Sequence, residues 1–395
     1  MTKFIELDYN GLMPWWGSRA SLMKYYRPLW PKKCDVAFDL FGGGGSALPY
    51  LCQIASKVYF SDLCQTNTRT LLLLKEEGGY DRIIANITSL ANVLDQMGPQ
   101  DRRDYCRRLY IALEEPIYAG FEQDFLAAAP LLLGRVLHGG SLGKRWFPSL
   151  RPLGDQDLRQ ALDVAVHRLD RFIREVDLDR IEVLREDYRN VLGFAKNALS
   201  DGKKVFVWAD LPFPMESRGT KDNRSKDPAR SMPRAQYLHD MDSTEHSEFF
   251  RNISPLLKQG GFGITIPTYI NDLYDELCPD WAKWGRVFLA DRVRGFLPWQ
   301  DYCFVEDPKE PIRKVYADKP SVTQKVEFTR EAAIEYAGSI STSSVYQDYI
   351  ADRLRDVPVL SRAEATSKRK KIITSRSSLW RLAKETVYYH NTHLL

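Results

Sequence analysis

Four consecutive glycines, Gly42 to Gly45, stand between two apolar segments, and this junction constrains the fold more than any other stretch. Asp35-Val36-Ala37-Phe38-Asp39-Leu40-Phe41 has the β-branched and aromatic content of a short buried strand. After Ser46, Ala47-Leu48-Pro49-Tyr50-Leu51 opens a helix. A flexible linker would not be framed by apolar segments on both sides. Strand, glycine turn and helix predict the first βα unit of a doubly wound α/β fold, where glycine lets the backbone approach a ligand and take positive φ.

The next strand, Lys57-Val58-Tyr59-Phe60, ends in Ser61-Asp62. Nucleotide-binding folds place a ribose-accepting carboxylate there, about 20 residues past the glycines. Asp62 fits that place, with capping of the following helix as the alternative. The phosphate fingerprint G-x-G-x-x-G is imperfect: one register ends on Leu48, the other on Ala47. That tilts the expected ligand from a dinucleotide towards S-adenosylmethionine, which has no pyrophosphate.

Further strands are predicted at Ile181–Leu184, Val205–Trp208 and Phe262–Ile266. The second of these follows Lys203 and Lys204 and runs into Ala209-Asp210-Leu211-Pro212-Phe213. Ligands bind at the carboxyl ends of such strands, and here an acceptor carboxylate, a stiffened backbone and a flat ring meet. Between residues 86 and 180 the apolar residues recur at helical spacing. The clearest segment is Asp157 to Ile173, with Leu158, Leu162, Ala165, Val166, Leu169 and Phe172 on one face and Asp155 in the cap region. A second helix, Ser243 to Leu257, is expected to start from Ser243 or Thr244 as its cap.

Net charge is only +4 over 395 residues, so any case for nucleic acid rests on local clusters. One lies at His138 to Pro148, where Lys144 and Arg145 suit phosphates and Trp146 suits wedging against bases; tucking back into the helices is the alternative. Another is Met215 to Gln236, including Arg218 and Lys221, read as a loop that orders on substrate or as a plain insertion. A third is Lys368-Arg369-Lys370-Lys371 with Arg376 and Arg381, followed by Trp380, Tyr388 and Tyr389, in a tail that either contacts DNA or is simply solvated. The six cysteines form no Cys-x-x-Cys pair and no His stands at ligand spacing from them, so reduced thiols and no metal are expected. The first residues lack an apolar signal core, and Phe125 to Leu133 is too short to span a bilayer, so no membrane partner and a cytoplasmic location are expected.

Taken in order, the motifs resemble those of Dam-like, class α DNA adenine-N6 methyltransferases. Pro14-Trp15-Trp16-Gly17-Ser18-Arg19 resembles that family's N-terminal aromatic-Gly-Gly/Ser-Lys element. Asp39 to Ser46 resembles its Glu-Pro-Phe-x-Gly-x-Gly-Ser loop, and Ser61-Asp62-Leu63 with Asn67 its Asn-Asp-x-Asn. Glu186-Asp187-Tyr188 resembles its Gly-Asp-Phe, and Asp210-Leu211-Pro212-Phe213 its Asp-Pro-Pro-Tyr. Tyr237 and Glu245-His246 resemble a downstream Tyr and Asp-His pair. Arg19 stands where a Lys is usual, Asn67 lies further from Asp62, and Leu211 replaces a proline. The likeness covers about residues 10 to 290.

The resemblance implies a Rossmann-like S-adenosylmethionine-dependent methyltransferase fold with an inserted helical target-recognition domain. Residues 1–85 and 181–300 would form the catalytic domain, 86–180 the DNA-binding insert, and 301–395 an extension with a basic tail. Trp15, Arg19, Phe41, Gly43, Gly45, Asp62 and Asp187 would hold S-adenosylmethionine. Asp210, the carbonyl of Leu211, Pro212 and Phe213 would take a flipped adenine of DNA. Lys144, Arg145, Trp146, Arg218 and Lys221 would contact DNA, with the chain a monomer or weak dimer. RNA or a cytosine amine as substrate, and a non-catalytic DNA-binding role, are the competing readings.

Overall fold

The structure is a computed structural model that describes residues 11–15, 18–114, 120–137, 142–143, 150, 155–212, 239, 241–269, 273–278, 282–289, 299–305, 329–338, 344–373 and 385–390. The chain divides into two compact units. One holds Met1–Pro267, Asp280–Gly285 and Tyr388–Leu395, the other Thr268–Pro279 and Arg286–Val387.

Strands β1 (Cys34–Asp39), β2 (Ala55–Ser61), β3 (Ile181–Leu184), β4 (Val205–Trp208) and β5 (Phe262–Tyr269), which belong to the first unit save for the last two residues of β5, lie in the order β3-β2-β1-β4-β5 within a seven-stranded sheet. All four pairings among them are parallel. The fold is therefore α/β, with helices α1 (Met23–Tyr26), α2 (Leu48–Ile54), α3 (Gln65–Lys75), α4 (Gly79–Asp95), α5 (Pro99–Ala112), α6 (Gln123–Val136), α7 (Asp155–Glu175), α8 (Tyr188–Ser200) and α9 (Ser243–Leu257). The chain winds outwards from β1 to β3 and then returns to β4 on the other side. The carboxyl ends of β1 and β4 thus flank a topological switch point, where an open sheet leaves a crevice.

The strand sequences explain this placement. Every residue of β4 is buried, as a central strand covered on both faces requires. Phe206 and Trp208 share one face, where Trp30 packs on both at 5.1 Å and Tyr26 on Trp208 at 5.2 Å between ring centroids. On the other face Phe38 stacks on Tyr59 at 4.8 Å, and Tyr59 on Phe194 of α8 at 5.8 Å.

The helices of residues 86–180 fall in the same compact unit as the strands of the sheet's first half. Two contacts show why. Thr70 Oγ1 of α3 donates to the carbonyl of Ala127 in α6 at 2.6 Å. Glu114, just past α5, closes the N-terminus of α3: its carboxylate accepts from the amides of Gln65 at 3.2 Å and Thr66 at 3.1 Å, from the Thr66 hydroxyl, and from the Cys64 thiol at 2.6 Å. Those amides have no partner within the helix, and a carboxylate there also meets the positive end of the helix dipole. In α7, Leu158, Ala165, Leu169 and Phe172 are buried, and the helix begins at Asp155 itself. The cap of α9 is Asp242, not Ser243 or Thr244; its side chain accepts from the Glu245 amide while Glu245 accepts from the Asp242 amide, each at 2.9 Å.

The second unit contains α10 (Leu273–Leu277), most of β6 (Gly285–Leu289), and a small parallel sheet in the order β8-β7-β9, made of β7 (Tyr302–Val305), β8 (Val359–Leu360) and β9 (Lys371–Ile372). Helices α11 (Arg330–Gly338), α12 (Ser344–Asp356) and α13 (Arg362–Ser367) complete it, and β10 (Glu385–His390) crosses the division. Tyr302, Phe304, Ala333, Ile350, Leu354 and Ile373 build its own core. The segment read from sequence as a tail is thus folded over its described residues. Among those residues of the whole chain, no helix is long and apolar enough to cross a membrane.

If Glu114 anchors the helices to the sheet, Glu114→Ala leaves α3 uncapped and should cost about 2 kcal/mol. Urea denaturation followed by far-UV circular dichroism measures this; a loss below about 0.5 kcal/mol would make the contact incidental.

Candidate active site

A cleft opens at the carboxyl ends of β1, β2 and β4. Of the residues expected to serve a ligand, Trp15, Phe41, Gly43, Asp62, Asp187, Asp210, Leu211 and Pro212 line it. Phe213, Lys144, Arg145, Trp146, Arg218 and Lys221 lie outside the described residues, as does Tyr237. Gly45 and Arg19 are not among the lining residues.

The glycine loop is close-packed from within. A Cβ on Gly42 would sit 2.0 Å from the ring of Phe60, and one on Gly44 2.5 Å from the carbonyl oxygen of Met13. Trp15 is held between two glycines: a Cβ on Gly43 would stand 3.0 Å from its indole, and one on Gly143 2.5 Å from it. Gly43 and Gly143 also take positive φ, 49° and 82°. Gly45 faces Leu48 and Leu12 instead of the cleft.

Three of the loop's amides are engaged within the chain. Gly42 N donates to the Ser61 carbonyl at 3.0 Å, Gly43 N to Asp62 Oδ2 at 2.7 Å, and Gly45 N to the Gly42 carbonyl at 2.9 Å. Asp62 Oδ1 accepts from Cys64 N at 2.7 Å. Asp62 thus joins the turn after β1 to the turn after β2 at the cleft wall; the N-cap of α3 is Cys64, so Asp62 does not cap that helix. Asn67 is buried close enough to steady the Asp62 charge, yet its amide makes no hydrogen bond of good geometry. Burial pushes the Asp62 carboxyl upwards against the pull of the two amides and Asn67.

Asp187 caps α8, accepting from Arg189 N at 2.9 Å and pairing with the Arg189 guanidinium. Arg189 also grips Glu248 through two bonds of 2.7 Å and lies over the ring of Tyr188. Phe41 packs on Tyr188 and Phe249, at 5.7 and 6.1 Å. Glu245, through its capping box, ends at the cleft, while His246 is buried.

Arg19 faces Asp210. Its Nε donates to Asp210 Oδ1 at 3.2 Å, with the Arg19 side chain 4% exposed and that of Asp210 20%. Asp39, at the end of β1, is buried, and among the described residues neither of its oxygens has a hydrogen-bond partner. Burial, then the charges of Asp210 and Asp62, push its carboxyl well above the usual range.

Among the described residues the lining carries the carboxylates of Asp62, Glu186, Asp187, Asp210 and Glu245 and the guanidinium of Arg189; Asp187 is paired with Arg189 and Asp210 with Arg19. Over these residues acids outnumber bases, a balance that suits a cation better than a phosphate. Flat apolar surface comes from Trp15, Phe41, Tyr188 and Leu63. Leu63, Glu186 and Gly143 had no separate role in the sequence reading; the motif positions next to Leu63 and Glu186 were the available signal.

A scan of protein-family models gives no match, and a search of curated proteins gives none either. The cleft is thus interpreted from its own chemistry.

Asp39 sets a pH dependence. The native state holds its proton more tightly than the unfolded chain, so above about pH 4 unfolding releases a proton and is favoured as pH rises. Asp39→Asn removes that loss. Its melting temperature relative to the parent chain should climb between pH 4 and pH 8, as read by differential scanning calorimetry; a difference constant across pH would show an ionised native Asp39.

Proposed function

We propose that the chain transfers a methyl group from S-adenosylmethionine to an exocyclic amine of a base in DNA, adenine N6 being the foremost target. The observation that carries this reading is the union, in one cleft, of an acid-rich lining with a glycine loop in which the amides of Gly42, Gly43 and Gly45 are engaged within the chain. A dinucleotide needs free amides for its pyrophosphate. S-adenosylmethionine is phosphate-free and brings a sulfonium and an ammonium, which suit the carboxylates. On this reading Trp15, Phe41, Leu63 and Tyr188 supply surface for its adenine, and Asp62, Asp187 and Glu186 accept from its polar groups. The finer fold assignment, a methyltransferase version of the doubly wound sheet, belongs to the same proposal.

The cofactor, when bound, supplies an electrophilic methyl group. The rest falls to the chain. An exocyclic base amine is a poor nucleophile because its lone pair is delocalised into the ring. Asp210 and the main-chain carbonyl of Leu211 would accept hydrogen bonds from its two N–H groups, draw the nitrogen towards tetrahedral geometry and free the lone pair; as the N–C bond forms and the methyl–sulfur bond breaks, the excess proton on nitrogen would leave to solvent by way of Asp210. Leucine provides that carbonyl as proline does, and its side chain is 2% exposed, so it also packs the wall. On this reading Arg19 acts through Asp210, fixing the direction of the carboxylate, which makes it a positioning residue.

The deciding experiment incubates the chain with unmodified DNA and isotopically labelled cofactor, digests the DNA to nucleosides and identifies the product by mass. N6-methyladenine, abolished by Asp210→Ala, is the expected result. A product in RNA alone or on cytosine would move the substrate, and no product in any nucleic acid would sink the transfer reading. Arg19→Ala should lower kcat by roughly tenfold or more with little change in cofactor KM; a rise in KM alone would return Arg19 to the cofactor.

A further inference from the structure

The turn that links α13 to β9 carries Lys368, Arg369, Lys370 and Lys371 in succession. Lys368, Arg369 and Lys371 are exposed and Lys370 is half-buried. From Arg362 to Lys371 there are five basic residues and one acid, so these ten residues hold as much net positive charge as the whole chain, +4. The acid, Glu364, is turned away to the other end of α13, where its carboxylate accepts from Ser361 N at 3.0 Å and Ser361 Oγ at 2.8 Å.

The turn is rigid. Arg369 N donates to the Thr366 carbonyl at 3.1 Å and Lys370 N to the Ala365 carbonyl at 2.8 Å, the two crossed bonds of a Schellman motif. That motif puts its C′ residue in the left-handed region, where glycine is the usual occupant. Here the position belongs to Arg369, with φ 51°. Attraction to the helix dipole accounts for a cation such as Lys368 at the last turn. It does not account for an arginine where glycine would be unstrained, and strain kept at an exposed charged residue points to function.

We infer that this turn grips the phosphate backbone of duplex DNA without reading its sequence, resting on the proposed function for the choice of polymer. A polyanion repeating at short intervals matches cations at consecutive positions on a fixed turn. An anionic membrane surface matches less well, because membrane-surface segments pair their cations with apolar side chains. Among the described residues every large exposed hydrophobic side chain lies in the first unit and none in the unit that carries this turn.

The test uses the full chain and a fluorescein-labelled duplex of arbitrary sequence, with anisotropy titrations at several salt concentrations. The parent chain should bind with a steep salt slope. Arg369→Gly relieves the backbone and should melt no lower than the parent, yet flatten the slope of log K against log salt by roughly 0.9 for one lost phosphate contact. Adding Lys368→Ala and Lys371→Ala should flatten it by roughly three times as much. Parent-like slopes in both variants would overturn the inference, as would a chain that ignores the duplex or prefers phosphatidylserine vesicles. A chain that methylates nothing but keeps the slope difference would retire the transfer reading and uphold this one.

Discussion

The carboxylate of Asp62 holds the two turns on which the cleft depends. One oxygen takes the amide of Gly43, the other that of Cys64, so the ends of β1 and β2 are locked by a single side chain. Around this lock the glycines close on their neighbours: Gly42 against Phe60, Gly44 against Met13, Gly43 and Gly143 on either side of Trp15. Glu114 then seals the start of α3 directly after the second turn. The acids that stabilise these turns also give the cleft its potential. A cationic ligand would relieve the crowding of charge that a tightly tied set of turns creates.

This gives the glycine run a second explanation beside ligand approach. Phe60, Met13 and Trp15 would each collide with a larger side chain, whatever the cleft binds. The glycines by themselves therefore do not choose a ligand. Three of their amides, those of Gly42, Gly43 and Gly45, donate within the chain and so serve the turn itself.

Much of the sheet was legible in the sequence. Runs such as Ile181–Leu184 and Val205–Trp208 became strands with the same bounds; the second is apolar throughout, as a strand buried along its whole length must be. Partners distant along the chain were not legible. Arg19 and Asp210 are 191 residues apart, and nothing local to either names the other. Glu114 reaches Cys64 across 50 residues. At α9 three adjacent residues, Asp242, Ser243 and Thr244, could each have capped the helix, and only the folded backbone selects Asp242. The second unit was hidden for another reason: strands of two residues, such as β8 and β9, have no periodicity to detect.

The strand order also governs how the chain can be made. β1 pairs with β4, and the Lys204 amide meets Asp35 from 169 residues away. At ordinary rates of synthesis that interval takes on the order of 10–30 s. Throughout it one edge of β1, with Val36 and Phe38, has no partner strand, and such an edge invites pairing with another chain. The helices α3 to α7 are translated during this interval and can form from local contacts. Contacts such as Thr70 to Ala127 let them gather on β2 before the central strand arrives.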